Sequence, residues 1–400
     1  MEDDVVIVAG TRTALTNFGG PFKDIPVPRL AALAVGEAIR RAGIEPDLVD
    51  RISFGYVIQS SEGPNVARQA GLYAGLRPET FTGNTLNFQC GSGLEAVNEC
   101  VRLLKLGECD VAVAGGVEIM SRGPYLIYDH RWGHRMGEDV MYDYFGHSAK
   151  MVSTDLWGIF DIAQTAENLA QQYSISRSQS DEFAAWSNRK AIEAQESGRF
   201  DQEIFAVEIP GRKGSVRVTK DERPRADATI EKLSQLRPAF RADGTVTAGN
   251  ASGVNDGAAA LLLTTRKRAQ QLSLRPLAAI RSWATAGVDP RVMGIGPVPA
   301  TKKALAKAGL SLSDLALLEI NEAFAAQALA VVKELEIPMD KLNVNGGAVA
   351  LGHPVGCSGA RILVTLIYEL MRKGGRFGLA SLCCGGGLGV ATIVENESAS

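Results

Sequence analysis

The 400-residue chain predicts an α/β fold built from two copies of one unit, and three observations point there. Short apolar runs alternate with amphipathic, helix-like runs over the first 120 or so residues, the pattern of strands and helices in a largely parallel sheet. The same landmarks return near the C-terminus at a fixed spacing, the mark of an internal duplication. Between the copies lies a stretch of different composition.

Residues 5–10 read as a buried strand, and 28–42 as an amphipathic helix stopped by Gly43, the residue type favoured just past a helix end. Residues 52–58 and 84–88 read as strands, 91–106 as a helix ending at Gly107, and 110–114 as a further buried strand. Ala42-Gly43-Ile44 is answered by Ala308-Gly309-Leu310, Ser92-Gly93 by Ser358-Gly359, and residues 110–114 by 376–380, each 266 positions later. Asp47-Leu48 is answered by Asp314-Leu315, one residue out of step. The intervening stretch holds Trp132, His134, Met136 and Trp157 and two polar helices, 164–173 and 177–196; Ser176 followed by Gln179 forms a capping-box signature for the second. The expected division is therefore 1–121 with 251–275 as the first unit, 122–250 as an insertion, and 276–400 as the second unit. Insertions of this size lid a site or build a subunit contact.

Composition excludes several classes. With 42 basic and 45 acidic residues, the net charge of −3 is not the basic footprint of a nucleic-acid binder. No apolar run approaches the roughly 18 residues of a membrane span. The acidic start Met1-Glu2-Asp3-Asp4 fits neither a secretory nor a transit leader, and the tail carries no lipidation or peroxisomal signal; the expected setting is cytoplasmic. Cys90, Cys100, Cys109, Cys357, Cys383 and Cys384 include no Cys-x-x-Cys pair, and only four histidines are present. Neither a disulfide framework nor a metal site is expected.

Four positions can carry chemistry. Cys90 follows a strand and precedes Gly91-Ser92-Gly93, which opens a helix; free amides and the helix dipole there favour a thiolate. A free cysteine is otherwise a small buried hydrophobe, but the position 266 later is Gly356, so the unit's packing does not demand cysteine. His353 lies in a glycine-rich turn before the second copy's helix, with Pro354 biasing it towards an extended backbone; the other reading is a histidine that merely satisfies its own loop. Cys383 and Cys384 end a strand ahead of Gly385-Gly386-Gly387. Adjacent strand residues face opposite ways, so one thiol faces a site and the other faces the core. Asn321-Glu322-Ala323-Phe324 ends strand 316–320, where α/β folds place ligands; Asn321 reads equally well as a helix N-cap.

Together, Cys90-Gly91-Ser92-Gly93, Gly115-Gly116-Val117-Glu118-Ile119-Met120-Ser121, Gly249-Asn250-Ala251-Ser252-Gly253, Asn321-Glu322-Ala323-Phe324, Gly352-His353-Pro354 and Cys383 before Gly385-Gly386-Gly387 resemble the signatures of the thiolase family, most closely its acetyl-CoA acetyltransferase and bacterial β-ketothiolase branch. The resemblance runs from about Val5 to Val394 in family order. It implies a five-layered α-β-α-β-α core with the insertion covering coenzyme A. Cys90 matches the nucleophile that becomes acylated, His353 its activator, and Cys383 the second acid/base. Asn321 matches the residue holding a water in one oxyanion hole beside His353, while the amides of Cys90 and Gly385 match a second hole. Arg225, Ser252, Ala323 and Phe324 fall where the family contacts coenzyme A. The implied activity is reversible thiolysis of 3-oxoacyl-CoA, acetoacetyl-CoA foremost. No cofactor is implied, coenzyme A being a substrate; a homo-oligomer, dimer or tetramer, is implied, with the insertion as the tetramer contact.

Phe160-Asp161-Ile162-Ala163 departs from the aromatic-His-Met-Gly of close relatives in a region lining the acyl pocket, where Asp161 either charges the pocket or turns outward. Gln89 and Cys384 depart too. Condensing enzymes of the ketoacyl-synthase kind share the duplicated fold but lack the Cys383-glycine motif paired with Gly-His-Pro. A non-catalytic acyl-CoA-binding or assembly subunit would be signalled by loss of a matched catalytic position, and all four are filled.

Overall fold

The computed structural model describes residues 4–398 apart from 129, 152, 153, 159, 212 and 213. The first copy runs β1 (Val5–Arg12), α1 (Val27–Ala42), β2 (Arg51–Gly55), α2 (Val66–Tyr73), β3 (Thr82–Leu86), α3 (Ser92–Leu106), β4 (Val111–Ile119). The intervening stretch supplies α4 (Ile162–Gln172) and α5 (Arg177–Glu196), after which β5 (Asn255–Thr265) completes the first set of strands. The second runs β6 (Ala278–Gly287), α6 (Pro297–Ala308), β7 (Leu315–Ile320), α7 (Ala325–Leu335), α8 (Val355–Lys373), β8 (Phe377–Cys384) and β9 (Leu388–Asn396). α1 and α6 each end on a left-handed glycine, Gly43 at φ 69° and Gly309 at φ 65°.

Strand order is β7-β8-β9-β6-β1-β5-β4-β2-β3, two matching half-sheets joined only where Val6 faces Ala279 and Ile7 faces Ala278. The sheet is mixed rather than largely parallel. β2 runs parallel to β3 and β4, and β7 to β8, but β5 and β9 each run antiparallel to their neighbours. The cause is connectivity: β8 turns straight into β9 through Gly385–Gly387 without a crossover helix, and a tight turn joins only antiparallel strands.

Alternate residues of each strand feed different cores. Val6, Val113 and Leu262 pack with α1 and α2, whereas Ile7, Ala112 and Leu263 pack with α3 and α8. A third core joins α6 and α7 to the other half-sheet. The layers are thus helices, sheet, helices α3 and α8, sheet, helices, the five-layered α-β-α-β-α order. At the centre α3 and α8 cross with no room for side chains. A Cβ on Gly93 would lie 2.8 Å from the Gly356 carbonyl oxygen, and one on Gly359 would collide with the Leu94 backbone. These are the repeat-related glycines of the two Ser-Gly pairs.

The insertion is tied in by buried charge. Arg12 at the end of β1 grips Asp221 through two nitrogens at 2.7 and 2.9 Å and Glu203 at 2.6 Å, a geometry that offsets the cost of desolvating the ions. Among the described residues, no helix is long and apolar enough to cross a membrane.

Candidate active site

Crossing at Gly93 and Gly359 brings the starts of α3 and α8 together, and the loops before them carry Cys90 and His353. Gln89 adopts φ 50°; its carbonyl accepts from the Ser92 amide at 2.9 Å and the Ser92 hydroxyl at 2.6 Å, closing the turn that presents Cys90. This accounts for the Gln89 backbone; nothing in the structure accounts for its side chain.

His353 is 5 % exposed, and its protonation can be worked out from its partners. The Ser358 hydroxyl has one proton, which it donates to the Pro354 carbonyl at 2.9 Å. Its contact of 2.6 Å with His353 Nδ1 must then be an N–H donation to the Ser358 oxygen. The Nε2 lone pair is left facing Asn321 Nδ2 at 3.4 Å, the tautomer of a proton acceptor. Burial and the Arg361 cation hold the His353 pKa down at about 3, so the imidazole is neutral. The Asn255 carboxamide oxygen accepts the His353 amide at 3.1 Å.

The Gly385 amide donates to the Cys90 sulfur, linking the first copy's helix start to the loop after β8. Burial nevertheless outweighs that donor and pushes the Cys90 thiol up to about 11. The expectation of a thiolate poised by the helix end is corrected: the resting group is a thiol, because it sits in an apolar wall with Ile58, Met120 and Val355. Strand alternation separates the vicinal thiols as expected. Cys383 joins Val246, Ala251, Met293, Ala323 and Phe324, while Cys384 belongs to the core between the sheets. There it receives the Gly91 amide, which gives this unusual cysteine a role in supporting the Cys90 loop. All six cysteines are free.

Asn321 is not a helix cap: α7 starts at Ala325 with Phe324 as its N-cap. Its side-chain oxygen is buried and has no partner among the described residues. Ser252 donates its amide to the Ala323 carbonyl at 3.0 Å, so Ser252, Ala323 and Phe324 form one wall beside Cys383. Arg225 is not brought to the cysteines. It is exposed and lines a separate cavity of about 400 Å³ with Arg189. Asp161 accepts the Ala163 amide at 3.0 Å and forms a capping box with Gln164. Among the described residues no cluster of three or more potential ligands is placed to hold a metal ion.

Two buried acids stand inside motifs quoted from the sequence, where neither was given a duty of its own. Glu118 accepts the amides of Val57, Ile58 and Gly356 at 3.0, 3.2 and 3.0 Å, pinning the start of α8. Glu322 accepts from Asn343, Ser187 and the Val349 amide at 2.8, 2.7 and 3.1 Å, joining α5 to the segment before His353. The signal available was a lone acid within an apolar strand run, since a fully buried carboxylate must have a structural partner.

Comparison with known proteins agrees with this geometry. Residues 5–267 match the thiolase N-terminal domain and 274–396 the thiolase C-terminal domain. An acetyl-CoA acetyltransferase of Syntrophomonas wolfei is 47% identical over 397 residues, covering 99% of this chain and 100% of that protein. The crystal structure of the Bacillus anthracis acetyl-CoA acetyltransferase aligns with a TM-score of 0.95 at 48% identity, covering 98% of each chain. That of human mitochondrial 3-ketoacyl-CoA thiolase in complex with CoA aligns at 0.93 and 40% identity, covering 98% of each. Matched in sequence and in structure along nearly its whole length, the chain belongs to the thiolase family of acyltransferases.

Proposed function

We propose that this thiolase cleaves acetoacetyl-CoA and related 3-oxoacyl-CoAs reversibly, through an acyl-Cys90 intermediate, with His353, Cys383 and Asn321 as the other catalytic residues. The observation that supports this reading is the Gly385 amide on the Cys90 sulfur, which links the Cys90 loop to the loop after Cys383.

In the cleavage direction the Cys90 sulfur bonds to C3 of the substrate as its proton passes to His353 Nε2. The charge developing on the C3 oxygen is taken by the amides of Cys90 and Gly385, donors already fixed in place. The C2–C3 bond then breaks. Its electron pair becomes the enolate of acetyl-CoA, held by His353 and a water on Asn321, and Cys383 protonates C2. Coenzyme A next adds to the acyl carbon, giving its proton to the Cys383 thiolate, and Cys90 leaves and recovers its proton from His353. Two buried neutral thiols suit this exchange, since each ionises only while the proton has a receiver. Condensation is the reverse.

Ser252, Ala323 and Phe324 would receive the pantetheine, and Arg225 the nucleotide end of coenzyme A. Residues 122–250 would cover the coenzyme and contact other copies in a dimer or tetramer. Exposed Trp132, Met136, Met141 and Leu156 support that contact. No nucleic-acid or membrane partner is part of this reading. A cytoplasmic setting fits six free cysteines.

The test is thiolysis of acetoacetyl-CoA with intact-protein mass spectrometry. The expected result is cleavage with an acetyl mass on the wild type and neither on Cys90→Ala. Cleavage retained by Cys90→Ala would overturn the assignment.

A further inference from the structure

A guanidinium drawn out of water needs acceptors, and a carboxylate is the usual one. Arg223 does without. It is half-buried, and among the described residues its charged neighbour is a second cation, Arg225. Burial and that neighbour push its pKa down to about 10, so it remains a cation at neutral pH. Its nitrogens are held by backbone instead: Nε donates to the Val349 carbonyl and Nη2 to the Ala251 carbonyl, each at 3.1 Å. The side chain lies against Gly253, where a Cβ would fall 2.6 Å from Nη1 and 2.8 Å from Cδ.

Each of these contacts leads to the site. Ala251 precedes Ser252 in the wall beside Cys383. Gly253 also abuts the Asn255 carboxamide, which accepts the His353 amide at 3.1 Å. Val349 lies in the short helix Ala348–Leu351 just before His353, and its amide donates to Glu322 at 3.1 Å. Val349 is thus gripped at both polar groups, its amide by the acid next to Asn321 and its carbonyl by Arg223. The arm springs from a pinned segment. Asp221 accepts from Arg12 and from the Leu15 amide, both at 2.7 Å, and the Arg225 amide donates to Asn188 of α5 at 3.1 Å. Charge-assisted bonds are the stronger kind, and a planar fork spans two carbonyls where a point charge does not.

We propose that Arg223 is a positioning residue for the reaction, a built-in cation that ties the wall receiving coenzyme A to the segment presenting His353, so that a substrate seated on one meets the base at a fixed place. This rests on the roles given above to that wall and to His353. It also gives Gly253 a duty, which is to leave room for the guanidinium.

The experiment measures kcat and KM for thiolysis of acetoacetyl-CoA, with coenzyme A varied, in the wild type and Arg223→Ala. Each is assayed with tens of millimolar guanidinium chloride and with the same concentration of sodium chloride. The alanine variant should lose at least ten-fold in kcat and at least three-fold in KM for coenzyme A. Guanidinium, and not sodium, should restore at least three-fold of the kcat in the variant and none in the wild type. Arg223→Lys, which keeps the charge but not the fork, carries the same test if the alanine variant does not fold. Both constants staying within two-fold of the wild type would overturn the proposal. A loss that guanidinium does not relieve would overturn it too, making the arginine a packing element. Failure of the underlying roles is separate: it shows as acetoacetyl-CoA cleavage surviving in Cys90→Ala or unchanged in His353→Ala.

Discussion

The two copies of the unit present the same backbone device with opposite chemistry. Each ends a strand against the start of the other copy's central helix. In the first copy that strand end is Glu118, which accepts the Gly356 amide at the start of α8. The position 266 later is Cys384, which accepts the Gly91 amide at the start of α3. A buried acid, its pKa pushed up to about 8 by burial, supports the start of the helix after His353, and a neutral thiol supports the start of the helix after Cys90. The difference is electrostatic. Glu118 already lies within electrostatic reach of the Cys90 sulfur and helps hold its pKa up, and an acid in place of Cys384 would add a second such group beside it. A symmetric backbone therefore becomes a catalytic site through a few asymmetric side chains.

The largest expected effect is at the base. His353→Ala should lower kcat by about 10² to 10⁴, measured as acetoacetyl-CoA thiolysis, and single-turnover acylation should slow with it. Normal acylation with slow turnover would assign His353 to the second half-reaction only. Making the two strand ends alike is the next test. Cys384→Asp should raise the Cys90 pKa further and lower kcat by more than ten-fold, while Cys384→Ser, keeping a neutral group, should stay within about three-fold. Equal losses would reduce Cys384 to a packing residue. On the other strand, Glu118→Gln replaces an acceptor of three amides by a group that can accept fewer and also donates. With an unpaired buried amide costing about 1 to 3 kcal/mol, thermal unfolding should shift down by several degrees.

Much of the fold was legible because the landmarks were glycines with a steric duty. Gly43 and Gly309 mark helix ends by their left-handed backbone, and Gly93 and Gly359 mark the helix crossing, so a fixed offset between them exposed the duplication. Strand direction was not legible, because alternation of strands and helices says nothing about the β8–β9 hairpin that inverts β9. In the site, Cys90, His353 and Cys383 stood out as reactive residues in glycine-rich settings. Glu118, Asn255 and Ser358 did not, since their duty is a hydrogen bond to a backbone or ring placed there by tertiary structure. Asp161 stood out for another reason, as a replacement of a pocket residue of relatives; what the sequence did not show is that one of its oxygens caps its own helix. The thiolate expectation failed because a helix end acts over one turn, while burial acts on the whole sulfur.

Ser358→Ala separates these two kinds of residue. Loss of the hydroxyl frees His353 Nδ1 and allows the other tautomer, so kcat should fall about ten-fold with KM little changed, and Ser358→Thr should recover most of it. An unchanged kcat would show that Asn321 alone orients the ring.

The smallest effect is thermodynamic and tests whether the base is truly sequestered. The folded-state His353 pKa is held down at about 3, whereas an unfolded histidine titrates near ~6.5. Below that value the unfolded chain takes up a proton that the folded chain refuses. The stability linked to this group is therefore fully present above about pH 6.5 and is lost as pH falls towards the folded value, by up to about 1.4 kcal/mol per pH unit. His353→Gln removes that linkage and leaves the others in place. Thermal midpoints of wild type and variant should accordingly draw together, in the variant's favour, between pH 7 and pH 5. A gap that stays constant would mean that His353 protonates as an ordinary histidine.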